Sequence, residues 1–184
     1  MNQEKIIAAG FGGQGVMSMG RLIAYTGMQQ GKEVSWLPSY GPEMRGGTAN
    51  CHVIVSETPI GSPIISGDAT SVIVMNYPSM VKFTDQLVAD GLMLFNSSLI
   101  EEGPERSDIR VIPVPANRLA QDAGSLKAAN MVMLGAFIGA TKIYKLEDVV
   151  AALKKVFGPS KEKFIPMNEE ALRKGMEVAA AVEV

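Results

Sequence analysis

The side chains that most often carry metal and nucleophile chemistry are scarce here. The 184-residue chain has one cysteine, Cys51, one histidine, His52, and one tryptophan. A single cysteine excludes an internal disulfide framework and any cysteine-cluster metal site within the chain. One histidine and one cysteine fall short of the three or four protein ligands usual for zinc. A Ser-His-Asp or Cys-His pair would have to use His52, and nothing near it completes a triad. Cys51 and His52 are adjacent on a predicted strand, so they point to opposite faces, and both are read as structural. No run of lysine and arginine occurs, and 17 basic against 19 acidic residues give a net charge of −2, which argues against a nucleic-acid surface. No stretch reaches the ~18 uncharged apolar residues of a membrane helix, and the first residues do not show a signal-peptide pattern. The expectation is a cytoplasmic chain with neither membrane nor nucleic acid as partner, folded as a single domain over residues 1–184.

What the chain does have is glycine, methionine and order. Ile6 to Ala9 is an apolar run too short for a helix and followed at once by glycine, as in a buried parallel strand. Apolar positions then recur at helical spacing from about Gly13 to Gln30, and Gly31 supplies a stop. Val34 to Leu37 is a second strand, and Pro38 to Gly47, with two prolines and three glycines, is a loop. Thr48 to Ser56, Ser71 to Met75, Leu92 to Phe95 and Arg110 to Val114 are further strands; Pro113 places the last at an edge or ends it early. Pro78 opens a helix to about Ala89. From Ala116 the pattern is helical, with Leu126, Ala129, Met133, Leu134, Phe137 and Ile138 on one face. Leu146 to Phe157 forms another helix, and Asn168 is the expected N-cap of the last. The twelve methionines are read mainly as adaptable core filling. The fold class is α/β, a Rossmann-like sheet with flanking helices and a helical C-terminal part.

Two stretches carry the functional argument. Gly10, Gly12 and Gly15 fit G-x-G-x-x-G between a strand and a helix, where backbone N–H groups can meet an anion at the positive end of the helix. A dinucleotide site also needs an acidic residue near the end of the second strand. Leu37, Pro38 and Ser39 stand there instead, which counts against conventional NAD binding. Gln14 and Gly15 could still offer an amide and N–H groups to a phosphate; the glycines could equally serve close helix–strand packing. In the loop, Arg45 beside Gly46 and Gly47 could bring a guanidinium to a carboxylate or phosphate, with Glu43 orienting it. An ordinary surface ion pair, worth under about 1 kcal/mol, is the plainer reading, but Glu43, Met44 and Arg45 set between Gly41 and the Gly46–Gly47 pair favour a binding or interface role. Asp68 alone among the carboxylates sits in an apolar neighbourhood.

GFGGQGV at Gly10 to Val16 together with SYGPEMRGGTANCHVIVS at Ser39 to Ser56 resembles the gamma subunit of 2-oxoacid:ferredoxin oxidoreductases. The likeness continues through Ile60 to Pro63, the Asp68 region and Asn168 to Ala179, and looks closest to the 2-oxoglutarate and branched-chain branches. The resemblance implies a heteromeric enzyme converting a 2-oxoacid and CoA to acyl-CoA and CO2 while reducing ferredoxin. It implies alpha and beta catalytic subunits that hold thiamine diphosphate, iron–sulfur clusters in cysteine-rich parts, and a ferredoxin-like subunit or ferredoxin as partner. This chain would hold no cofactor alone and carry no catalytic residue. Gly12, Gly13, Gln14, Gly15, Glu43, Arg45, Gly46 and Gly47 would line the CoA side or a subunit interface, and an isolated chain could form a homodimer. A free-standing nucleotide-binding or regulatory module and a purely architectural subunit are the competing readings.

Overall fold

Alternation along the strands divides the apolar residues between two cores. Ile6 and Ala8 face one core, Ile7 and Ala9 the other, and all four are fully buried. The computed structural model describes residues 3–41 and 47–182. Among them, strands β1 (Gln3–Phe11), β2 (Glu33–Tyr40), β3 (Thr48–Ser56), β4 (Ala69–Val74), β5 (Leu87–Asn96) and β6 (Arg110–Val114) form one sheet in the order β2-β3-β1-β4-β5-β6. β1, β4, β5 and β6 are parallel, whereas β3 runs antiparallel to both β1 and β2. One face carries α1 (Val16–Gln29), α3 (Ala116–Asp122), α4 (Ala129–Thr141), α5 (Leu146–Phe157) and α6 (Ile165–Val182). The other carries α2 (Tyr77–Phe83), through Met80 and Phe83.

The chain therefore leaves β1 twice in effect. Through α1 it travels to β2 on one side, and through β4 and α2 it travels to β5 and β6 on the other. Successive helices on opposite faces leave a crevice at the carboxyl ends of β1 and β4, the place where open α/β sheets bind ligands.

α4 is apolar all round because it is covered on every side. Each residue from Ala129 to Ala140 is buried, so no single face exists of the kind expected, and Leu126 lies outside the helix, exposed. The close partner is α6, and small residues set the approach. A Cβ at Gly135 would lie 2.0 Å from the Leu172 carbonyl oxygen, and one at Gly175 would lie 2.0 Å from that of Val132.

Other boundaries also moved. β2 extends to Tyr40, so the irregular stretch begins three residues later than expected, at Gly41; β2 is an edge strand, where Pro38 is tolerated. The helix opened by Pro78 ends at Phe83, and Leu87 already starts β5. The Asn76 side chain caps that helix, accepting from the Ser79 N–H at 2.9 Å. Asn168 is not an N-cap: α6 begins three residues earlier, and the Asn168 amide donates back to the Phe164 carbonyl at 2.7 Å. β6 is an edge, as Pro113 suggests.

Candidate functional site

The two motifs singled out in the sequence meet at the crevice. β2 and β3 form a hairpin, closed at its base by the Gly41 N–H donating to the Thr48 carbonyl at 2.7 Å. The Gly12 N–H donates to the Gly47 carbonyl at 2.9 Å, tying the glycine turn to the base of the hairpin connection. Gly12, Gly13, Gln14, Gly15 and Gly47 are thereby gathered at one rim of the sheet. Glu43, Arg45 and Gly46 lie outside the described residues.

Inside the turn, the glycines do different work. Gly13 (φ 98°) has open space where a Cβ would stand, so a ligand can approach its backbone. Gly10 and Gly15 are instead crowded by protein amides. A Cβ on Gly10 would lie 2.8 Å from Gln14 Oε1, and one on Gly15 would lie 2.5 Å from Asn130 Nδ2. Gln14 Oε1 accepts from the Phe11 N–H (2.7 Å) and from Asn76 Nδ2 (3.1 Å), and Gln14 Nε2 donates to the Met75 carbonyl (3.2 Å). Asn130 Nδ2 donates to the Gly15 carbonyl at 3.2 Å. At the end of β5, Asn96 Nδ2 donates to Asn117 Oδ1 at 3.0 Å. Asn76, Asn96 and Asn130 are buried.

Two clefts flank the turn. One of about 460 Å³ is lined by Gly13, Gln14, Leu99, Asn117, Leu126 and Lys127, among others. The other, about 340 Å³, lies between Phe11, Gly12, Gly15, Met17 and the exposed Tyr40. No acidic residue occupies the first turn of α1, so the positive pole of that helix is not neutralised there. β3 is inserted between β1 and β2, where a dinucleotide fold would pair them directly. It places one further strand width, roughly 4.8 Å, between β1 and the end of β2.

The remaining titratable candidates are structural. Cys51 is buried against α1, its thiol pushed up to about 12 by desolvation, and it contacts the Val16 carbonyl at 3.8 Å. His52 faces the opposite side, as the strand alternation requires. Asp68 is not enclosed by apolar groups: it is half exposed, and its ion pair with Lys5 holds its pKa below the usual value. Among the described residues, no group of three or more His, Cys, Asp or Glu is placed to hold a metal ion, and no helix is long and apolar enough to cross a membrane.

His52 Nδ1 accepts from the Ile65 N–H at 3.2 Å, and burial lowers its pKa from the ordinary 6.5. The unfolded chain takes up that proton more readily than the folded one. The stability this gives is fully present above about pH 6.5 and is lost as pH falls through the folded value. Denaturant unfolding between about pH 7.5 and 5.5 should therefore cost wild type more stability than His52→Gln; equal losses would place the acid sensitivity elsewhere.

Residues 5–178 match the pyruvate ferredoxin/flavodoxin oxidoreductase family. The chain belongs to that family. A ketoisovalerate oxidoreductase subunit, VorA, of Methanothermobacter thermautotrophicus is 39% identical over 180 residues, which cover 96% of this chain. The chain spans 36% of the length of that relative and 37% of a second VorA. A 2-oxoglutarate synthase subunit, KorC, of Methanocaldococcus jannaschii is 32% identical across 96% of this chain and 94% of its own. The crystal structure of a keto/oxoacid ferredoxin oxidoreductase gamma subunit from Geobacter sulfurreducens superposes with a TM-score of 0.82 at 27% identity, covering 97% of this chain and 99% of that one. The α/β fold read from the sequence is thus the fold of a gamma subunit in this oxidoreductase family.

Asn76 and Asn130 were missed as site residues. The first had a visible signal, an asparagine two residues before the Pro78 that opens a helix. The second is a lone amide at the head of an otherwise apolar run.

Proposed function

We propose that this chain is the gamma-type subunit of a heteromeric 2-oxoacid:ferredoxin oxidoreductase. Such an enzyme oxidatively decarboxylates 2-oxoglutarate or a branched-chain 2-oxoacid with CoA to acyl-CoA and CO2. The observation that carries the reading is the agreement along 94% of a 2-oxoglutarate synthase subunit, supported by the higher identity to a ketoisovalerate subunit.

The residues do not fit an iron–sulfur cluster, which takes four thiolates as a rule, because the one cysteine is buried and held as a thiol. Thiamine diphosphate and the clusters belong, on this reading, to alpha, beta and ferredoxin-like partners. The turn does suit an anionic, extended ligand such as CoA. Gly13 leaves backbone accessible, the α1 pole is unneutralised, and Lys127 lines the cleft. Gly12, Gly13, Gln14, Gly15 and Gly47 form one wall of the CoA site or of a subunit interface, and Glu43, Arg45 and Gly46 are assigned to the same role.

The chain alone, given 2-oxoglutarate or ketoisovalerate, CoA and a viologen dye, should reduce no dye; with its partner subunits added it should. Dye reduction by the chain alone would defeat the subunit reading. In the assembled enzyme, Arg45→Ala should raise the KM for CoA several-fold. An unchanged KM with impaired assembly would leave only an architectural role.

A further inference from the structure

We propose that Gln14 and Asn76 are a positioning pair that fixes the height of the glycine turn over the end of β4, and so the shape of the crevice. The inference rests on the reading of that turn as a wall of the CoA site.

In a G-x-G-x-x-G turn the glycines are expected to make room for a ligand. Here the first one makes room for Gln14, whose Oε1 would be 2.8 Å from a Cβ at Gly10. The Gln14 amide then spans two strand ends. Its oxygen takes the Phe11 N–H and its nitrogen holds the Met75 carbonyl. Asn76, 5% exposed, extends the link: its Nδ2 donates to the same Gln14 oxygen, while its Oδ1 caps α2 at the Ser79 N–H. The turn that starts α1 on one face of the sheet is thereby pinned to the start of α2 on the other. With both of its acceptor positions occupied, the Gln14 oxygen acts through the backbone of Phe11 to Gly15 rather than on a ligand.

Gln14→Glu keeps the shape and removes the donor to Met75. Asn76→Asp removes the donor to Gln14 and keeps the cap. The complex assembled with each variant is examined by calorimetry with CoA and by amide hydrogen exchange. Each variant should weaken CoA binding about tenfold and speed exchange at residues 11–15 while the rest of the exchange map holds. The double variant should weaken binding little more than the stronger single one, because both act through one turn. Gly13→Val, which fills the open face of the turn, tests the underlying reading separately. If Gly13→Val weakens CoA binding but the amide variants do not, the positioning role is overturned and the CoA wall stands. If Gly13→Val and the amide variants all leave CoA binding unchanged, both are overturned. Weaker CoA binding with unaltered exchange, or effects that multiply in the double variant, would likewise overturn positioning in favour of separate contacts.

Discussion

Gly175→Ala is expected to destabilise the chain by at least about 3 kcal/mol, the upper range for forcing extra volume into a packed interior. Propensity argues the other way, since alanine is better than glycine in a helix by about 1 kcal/mol. Geometry decides the sign. The added methyl would sit 2.0 Å from the Val132 carbonyl oxygen and 2.7 Å from the Ala136 nitrogen, both backbone atoms of α4. Backbone in a helix buried from Ala129 to Ala140 cannot swing aside as a side chain can, so α4 and α6 must separate and lose packing along their crossing. Denaturant unfolding checks this, with Gly61→Ala as the comparison. Nothing lies within 4 Å of a Cβ at Gly61, and its backbone is not left-handed, so its change should stay within about 0.5 kcal/mol. A loss at Gly175 as small as that expected at Gly61 would show that the helices can part without penalty.

Gly15→Ala should cost about 3 kcal/mol, from two sources acting together. A non-glycine residue at φ 77° carries strain of roughly 1–2 kcal/mol. The new Cβ also displaces the buried Asn130 amide from 2.5 Å and breaks its bond to the Gly15 carbonyl, an unsatisfied group costing about 1–3 kcal/mol. Gly13→Ala isolates the first source. With φ 98° and open space around it, that variant should lose only the strain, about 1–2 kcal/mol. Thermal or denaturant unfolding of the two variants side by side measures the difference. Equal losses would mean that Asn130 relaxes freely.

The elements read most accurately from sequence are those with unambiguous local signals. β3 and β6 match to the residue, one through its β-branched alternation and the other through Pro113; α5 matches through its apolar stripe and Gly158. β5 is longer than its apolar run shows, because Val88 to Asp90 are exposed, and Asp90 within the strand is left-handed (φ 62°). α4 has no stripe to read, being buried on every side. The glycine turn and the hairpin were each visible as motifs. That they touch was not, because among the described residues the contact is made by backbone pairing, Gly12 to Gly47 and the β1–β3 ladder, between residues 35 or more apart, which no side-chain pattern encodes. Gln14 stood out as polar among glycines, but two of its three partners, Met75 and Asn76, come from the end of β4, whose position depends on the whole sheet order.

Five carboxamides stand along the rim that closes β1, β4 and β5: Gln14, Asn76, Asn96, Asn117 and Asn130. Such groups neither take up nor release a proton anywhere between about pH 4 and 10. These amides therefore have the same charge at every cellular pH. A proton released or taken up in the crevice leaves these five amides unaltered, so acid–base coupling of any ligand held there would have to come from the ligand itself or from groups other than these amides.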